Sequence, residues 1–188
     1  KEIWSEIEKK EIKNTESKNI GFFTAYDDPI EKYLGREPSL DDLIVVTLQK
    51  LKSFNKPFFL LIEGSQIDWA EHDNDPKYLL SEMLEFDAAV ESSYNFAEKN
   101  KNTLVVVTAD HETGGLLIEP IALSYYTGNN IKFSFNTAIG GGSHTGVPVP
   151  VYAYGPGAIN FSGTLDNTDV YHAILKALDL TEQTDSCL

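Results

Sequence analysis

Three short stretches of this sequence concentrate side chains able to hold a cation. Asp68 and His72 stand four residues apart in Glu63-Gly64-Ser65-Gln66-Ile67-Asp68-Trp69-Ala70-Glu71-His72. On one helical turn they project from the same face and can share one ion. Imidazole nitrogen with carboxylate oxygen suits zinc, whereas an all-carboxylate set favours magnesium or calcium. Asp110 and His111 are adjacent in Asp110-His111-Glu112-Thr113-Gly114-Gly115. On a regular strand neighbours point apart, so these two converge only if the chain turns there. His144 lies in the glycine-rich Gly140-Gly141-Gly142-Ser143-His144-Thr145-Gly146, where missing Cβ atoms let backbone crowd a site. Glu63 offers the hard oxygen that magnesium prefers. Each pattern has an ordinary reading as a capping pair, a turn or a plain loop. Their joint placement carries the weight, because three of the chain's four histidines fall in these loops. The fourth, His172, reads as a surface or partly buried residue of the last helix.

The elements that must position them follow from periodicity. Residues 1–19 read as a polar segment with a short, frayed helix, and 20–25 as a buried strand. Ser39, with Asp42 three residues on, marks a helix start. Leu40, Leu43, Ile44, Thr47, Leu48 and Leu51 then repeat at helical spacing over 39–54. The apolar run 57–62 is expected to be a buried strand. A polar loop spans 63–75. Asp75-Pro76 opens a helix running to about Lys99. Residues 103–109 form another buried strand, with weaker candidates at 116–118, 132–135 and 149–154. Asn167 is expected to cap a last helix through Leu178. Alternating strands and helices predict an α/β domain over 20–188, with a mostly parallel sheet flanked by helices. In such sheets ligands bind beyond the carboxyl ends of the strands, where these motifs fall.

Composition excludes several classes. Fifteen Lys and Arg against 29 Asp and Glu give a net charge of −14. Hydrophobic residues at 41% and charged residues at 23% are ordinary for a globular chain that buries roughly 70% of its surface. The strong acidity argues against nucleic acid and anionic membranes as partners. No run of 18 apolar residues offers a transmembrane helix. Cys187 is the single cysteine, so neither an internal disulfide nor a cysteine zinc site is available. The chain opens on Lys1 without a signal peptide, which reads as a processed product or a fragment.

Four segments together resemble the alkaline phosphatase family: FFLLIEGSQIDWAEHDNDP, LVVVTADHETGG, SHTGVPVPVYAYGPGA and FSGTLDNTDV. The upstream GFFTAYDDP and PSLDDLIVVTLQKLK also fit that family's carboxyl-terminal half. The resemblance runs from about Ile20 to Leu180. It implies a partial alkaline-phosphatase-like fold and, in the full-length parent, two zincs and one magnesium. By position, Asp68, His72 and His144 resemble the protein ligands of the first zinc. Asp110 and His111 resemble two ligands of the second, and Glu63 resembles a magnesium ligand. The implied chemistry is hydrolysis of phosphate monoesters, releasing inorganic phosphate, through a phosphoserine intermediate. The implied parent is a periplasmic or secreted homodimer.

The departures from that pattern matter as much. The family's nucleophilic serine, the rest of the second zinc site and the phosphate-binding arginine belong to its amino-terminal half and are not found here. Ser65, Ser143 and Ser162 read as turn residues, and Arg36, the single arginine, as solvated. No catalytic residue is therefore assigned, and at most one zinc site is complete in protein ligands. Trp69 stands where some members carry Lys or His near the phosphate, and it supplies no such charge. The isolated chain is expected to be inactive, with self-association through an exposed sheet edge as a hazard. Two other readings compete: a non-catalytic metal-binding domain, and a phosphodiesterase of the same superfamily. The E-G-S-Q-I-D and T-A-D-H-E-T-G-G details favour the monoesterase.

Overall fold

Two helix starts in this chain are set by short polar side chains. The computed structural model describes residues 28–121, 131–138 and 143–180. The expected N-terminal helix and the strand at 20–25 lie outside them. Helix α1 (Leu40–Ser53) begins where Ser39 accepts a bond from the Asp42 N–H at 3.4 Å, and Asp41 and Asp42 sit favourably in its first turn. The 25-residue helix α3 (Pro76–Asn100) begins at a proline. Asp75 Oδ1 accepts from the N–H groups of Lys77 and Tyr78 at 2.9 and 3.0 Å. Between them, the stretch expected as a loop winds into helix α2 (Gln66–His72).

The chain divides into two units, 1–92 with 112–146, and 93–111 with 147–188. In the first, Ala70 of α2 packs with Tyr78 and Leu79 of α3, and Ile67, Leu116 and Phe135 close around them. Strand β2 (Leu117–Pro120) pairs with β3 (Ile131–Ser134), Ile118 opposite Phe133. In the second, β1 (Val105–Val107) pairs with β4 (Tyr152–Tyr154), Val106 opposite Ala153. Helix α4 (Asp169–Ala177) buries Ala173, and the 3-10 turn Ala158–Phe161 buries Phe161. Gly155 follows β4 at φ +109°, where a Cβ would lie 2.2 Å from the Thr103 carbonyl oxygen, so only glycine fits.

Helices and strands share the described chain as the α/β reading requires, with three differences of detail. Both ladders among the described residues are antiparallel, where a mostly parallel sheet was expected. The run 57–62 joins no ladder there; Phe58, Leu60 and Ile62 are half-buried, while Phe59 is 62% and Leu61 79% exposed. An apolar run records a preference for burial, but a ladder needs a partner backbone about 4.8 Å away. Asn167 does not cap α4. Its side-chain amide donates instead to the Asp110 carbonyl, and Asp169 Oδ2 accepts the Asp166 N–H.

Candidate metal centre

Helix α2 delivers the first pair of ligands. Its seven residues place Asp68 and His72 one turn apart, with His72 Nε2 3.3 Å from Asp68 Oδ2. His144 comes from a distant loop, and its ring meets that of His72 edge-on at 5.1 Å. One ligand atom from each of Asp68, His72 and His144 lies within 4.8 Å of the other two. Asp68 and His72 are half-buried and His144 is exposed, so the group opens to solvent.

Thr113 ties the group together. It is 2% exposed, and its hydroxyl donates to Asp68 Oδ1. The Thr113 hydroxyl oxygen lies 3.0 Å from His144 Nδ1, which also lies 3.1 Å from the Glu112 carbonyl oxygen. A carbonyl only accepts, so Nδ1 carries the proton and Nε2 the lone pair a cation needs. The descent of Thr113 onto α2 requires Gly114 at φ +78°, where a Cβ would meet the Glu71 carbonyl at 2.9 Å. Glu112 braces the loop: Oε1 accepts from Leu116 N–H at 3.0 Å, while Oε2 accepts from Thr145 N–H at 3.1 Å and from its hydroxyl. Burial pushes the Glu112 carboxyl up, but these donors outweigh it and hold it below the usual range. Glu71 has no such compensation. Burial, then the charges of Glu112 and Asp68, push its carboxyl up to about 7. Crowded carboxylates beside two histidines are a donor set matched to a dication.

The second pair sits just past β1, in the other unit. The chain turns, and His111 Nε2 lies 3.1 Å from Asp110 Oδ2 while its N–H donates to Asp110 Oδ1 at 3.1 Å. The two side chains thus converge, and both are exposed. Glu63 is exposed and lines a cleft of about 150 Å³ with Arg36, Gln66, Glu82 and Glu85. Among the described residues, Asp68, His72 and His144 are the set of three that gathers closely enough for one ion. Trp69 is 38% exposed, and His172 is exposed with its ring against Tyr171.

Two features escape sequence reading. Thr113 and Glu112 look like turn residues, and nothing in their spacing announces bonds to residues some thirty to forty-five positions away. Arg36, expected to be solvated, is a correction: its side chain is 14% exposed and forks onto Glu82 and Glu85 of α3. Those carboxylates are 4% and 5% exposed, so the guanidinium is their counter-charge, and a buried pair of carboxylates requires one.

Comparison with known proteins places the chain in a family. The alkaline phosphatase family model matches residues 4–132 and 122–180. Alkaline phosphatase 4 of Bacillus subtilis is 34% identical over 229 residues, covering 88% of this chain and 49% of that protein. Streptomycin-6-phosphate phosphatase of Streptomyces griseus is 37% identical over 149 residues, covering 74% of this chain and 33% of its own length. A solved variant of the alkaline phosphatase from the Antarctic bacterium TAB5, with Mg bound in its M3 site, superposes with a TM-score of 0.71 at 38% identity. That match covers 81% of this chain and 45% of the TAB5 chain. The chain thus spans about half the length of the Bacillus relative, or less in the Streptomyces case. With the family model matched across most of its residues, this chain belongs to the alkaline phosphatase family.

Proposed function

We propose that this chain is the carboxyl-terminal, metal-binding part of a phosphomonoesterase that depends on two zincs and one magnesium. Asp68, His72 and His144 would hold the first zinc, three protein ligands with a position open to substrate or water. Asp110 and His111 would contribute to the second zinc, and Glu63 to the magnesium. When bound, such cations stabilise the leaving oxygen and activate the attacking one. The residues of this chain orient and charge-balance the site: Thr113 aligns Asp68 with His144, and Glu112 holds the loop that carries His144. Each dication would bring +2 against the −1 of the carboxylate that helps hold it, so bound cations would offer phosphate positive charge within an acidic protein. The nucleophilic serine and phosphate-binding arginine are expected from the part of the relatives' length that this chain does not span. The parent is read as a periplasmic or secreted homodimer; among the described residues no helix is long and apolar enough to cross a membrane.

The observation that carries this reading is the convergence of Asp68, His72 and His144 around Thr113. Elemental analysis after dialysis tests it, on wild type and on His144→Ala. About one zinc per chain, lost in the variant, supports the site; no zinc in either sinks the reading that it assembles in this chain. A companion assay offers p-nitrophenyl phosphate and a matching diester to the full parent and to these 188 residues. The parent should prefer the monoester and lose activity to a chelator. Turnover by the chain alone at roughly 1 per second or more would overturn its assignment as non-catalytic in isolation.

A further inference from the structure

The helix that carries Asp68 and His72 is too short to hold itself. Seven residues fall well below the length at which a helix is stable in water. Ser65, at its N-cap, has αR geometry and makes no side-chain capping bond. The first turn is held instead by the side chain of Gln66, which is 4% exposed. Its Oε1 accepts from Arg36 Nη1 at 2.6 Å and from the Tyr78 hydroxyl at 3.0 Å. Its Nε2 donates to the Pro29 carbonyl at 2.6 Å. Arginine has no acceptor, so these partners leave the amide one orientation.

Arg36 is in turn pinned. Nη1 also donates to the Ile30 carbonyl at 3.0 Å and to Glu82 Oε1 at 3.2 Å, and Nη2 donates to Glu82 and Glu85. Lys32 adds its amine to Glu85 Oε1 at 3.0 Å and its backbone N–H to Glu82 Oε1 at 2.8 Å. One planar fork therefore joins two carboxylates of α3 to the first residue of α2. Asp68 lies two residues beyond Gln66. Ligand distances in a metal site tolerate about 0.2 Å, so a shift at Gln66 is felt at Asp68 and, one turn on, at His72.

We infer that Arg36, acting through Gln66, is a positioning residue for the metal-ligand helix: it sets the placement of Asp68 and His72 without touching an ion or substrate. The inference rests on the metal site proposed above. Lysine keeps the charge but cannot bridge Glu82, Glu85 and Gln66 together. Arg36→Lys is therefore the first variant, and Gln66→Met, which removes the amide at similar volume, is the second.

The test uses the 188-residue chain and three readouts: zinc affinity against a chromophoric chelator, the visible spectrum of the Co²⁺-loaded protein, and far-ultraviolet circular dichroism. With the helical signal unchanged, each variant should bind zinc about tenfold more weakly, and its cobalt bands should shift or weaken. Zinc affinity within twofold of wild type, with an identical cobalt spectrum in both variants, would overturn the inference. Failure of wild type to bind zinc at all would instead sink the site proposal. The positioning role is then read without metal, by nuclear magnetic resonance contacts between the His72 and His144 rings. Their loss in the variants sustains it, and their survival overturns it. If Arg36→Lys unfolds, Gln66→Met decides. Loss of the helical signal in both would make the clamp a requirement of the fold alone and would also overturn the inference.

Discussion

Replacing Thr113 by valine removes one hydroxyl from the centre of the site and little else. Valine matches threonine in shape, so at a position 2% exposed no cavity opens. His144 keeps the Glu112 carbonyl at 3.1 Å, so its tautomer is preserved. The loss falls on Asp68, whose Oδ1 gives up its bond from the hydroxyl. A hydrogen bond to a charged group contributes about 1.5–3 kcal/mol net. The Asp68 side chain is 36% exposed, so water replaces part of the bond, and about 1.4 kcal/mol is the expected cost. That is about a tenfold weaker zinc dissociation constant. Competition with a chromophoric chelator at fixed pH measures it directly, while urea unfolding of the metal-free protein records stability separately. Thr113→Ser, which restores the hydroxyl, should recover most of the affinity. Zinc binding by Thr113→Val within about twofold of wild type would refute the idea that this hydroxyl aligns the ligands.

Two further outcomes follow from the packing around α2 and α3. Burial pushes the Glu85 carboxyl up, but Arg36 and Lys32 outweigh it and hold it below its ordinary 4.5. A depressed carboxyl adds stability that is present above the unfolded value and is lost as pH falls through the folded one. Glu85→Gln should therefore be less stable at pH 7, and its urea midpoint should depend less on pH below about 4.5 than that of wild type; parallel profiles would contradict the Arg36–Glu85 account. Gly64 faces the Phe86 ring, and an added Cβ would lie 2.8 Å from Phe86 Cδ2. Gly64→Ala should cost about 1–3 kcal/mol in urea, and Phe86→Leu in the same chain should recover most of it.

Much of the site is written locally. The four-residue spacing of Asp68 and His72 already implies a shared helical face, and Ser39 and Asp75 mark their helix starts because capping is a contact over two or three residues. Asp110 and His111 announce a turn by their adjacency at a strand end. What local pattern does not hold is the identity of distant partners. The polar composition of 63–75 reads as a loop, yet Gln66–His72 is helical because Ala70 is buried against Tyr78 and Leu79, and because Gln66 is gripped from Arg36. Thr113 carries no sequence mark of its bond to Asp68, and a lone arginine before a helix carries none of its burial between two glutamates. The run 57–62 shows the same limit in reverse: apolar character says that a strand is wanted, not that a partner lies alongside. Residue types and short spacings thus determined which side chains can bind a cation. Whether those side chains meet was decided only in three dimensions. There, Arg36 lies between buried carboxylates whose charge must be met by a donor from a remote part of the chain, and Thr113 reaches a half-buried one across 45 residues.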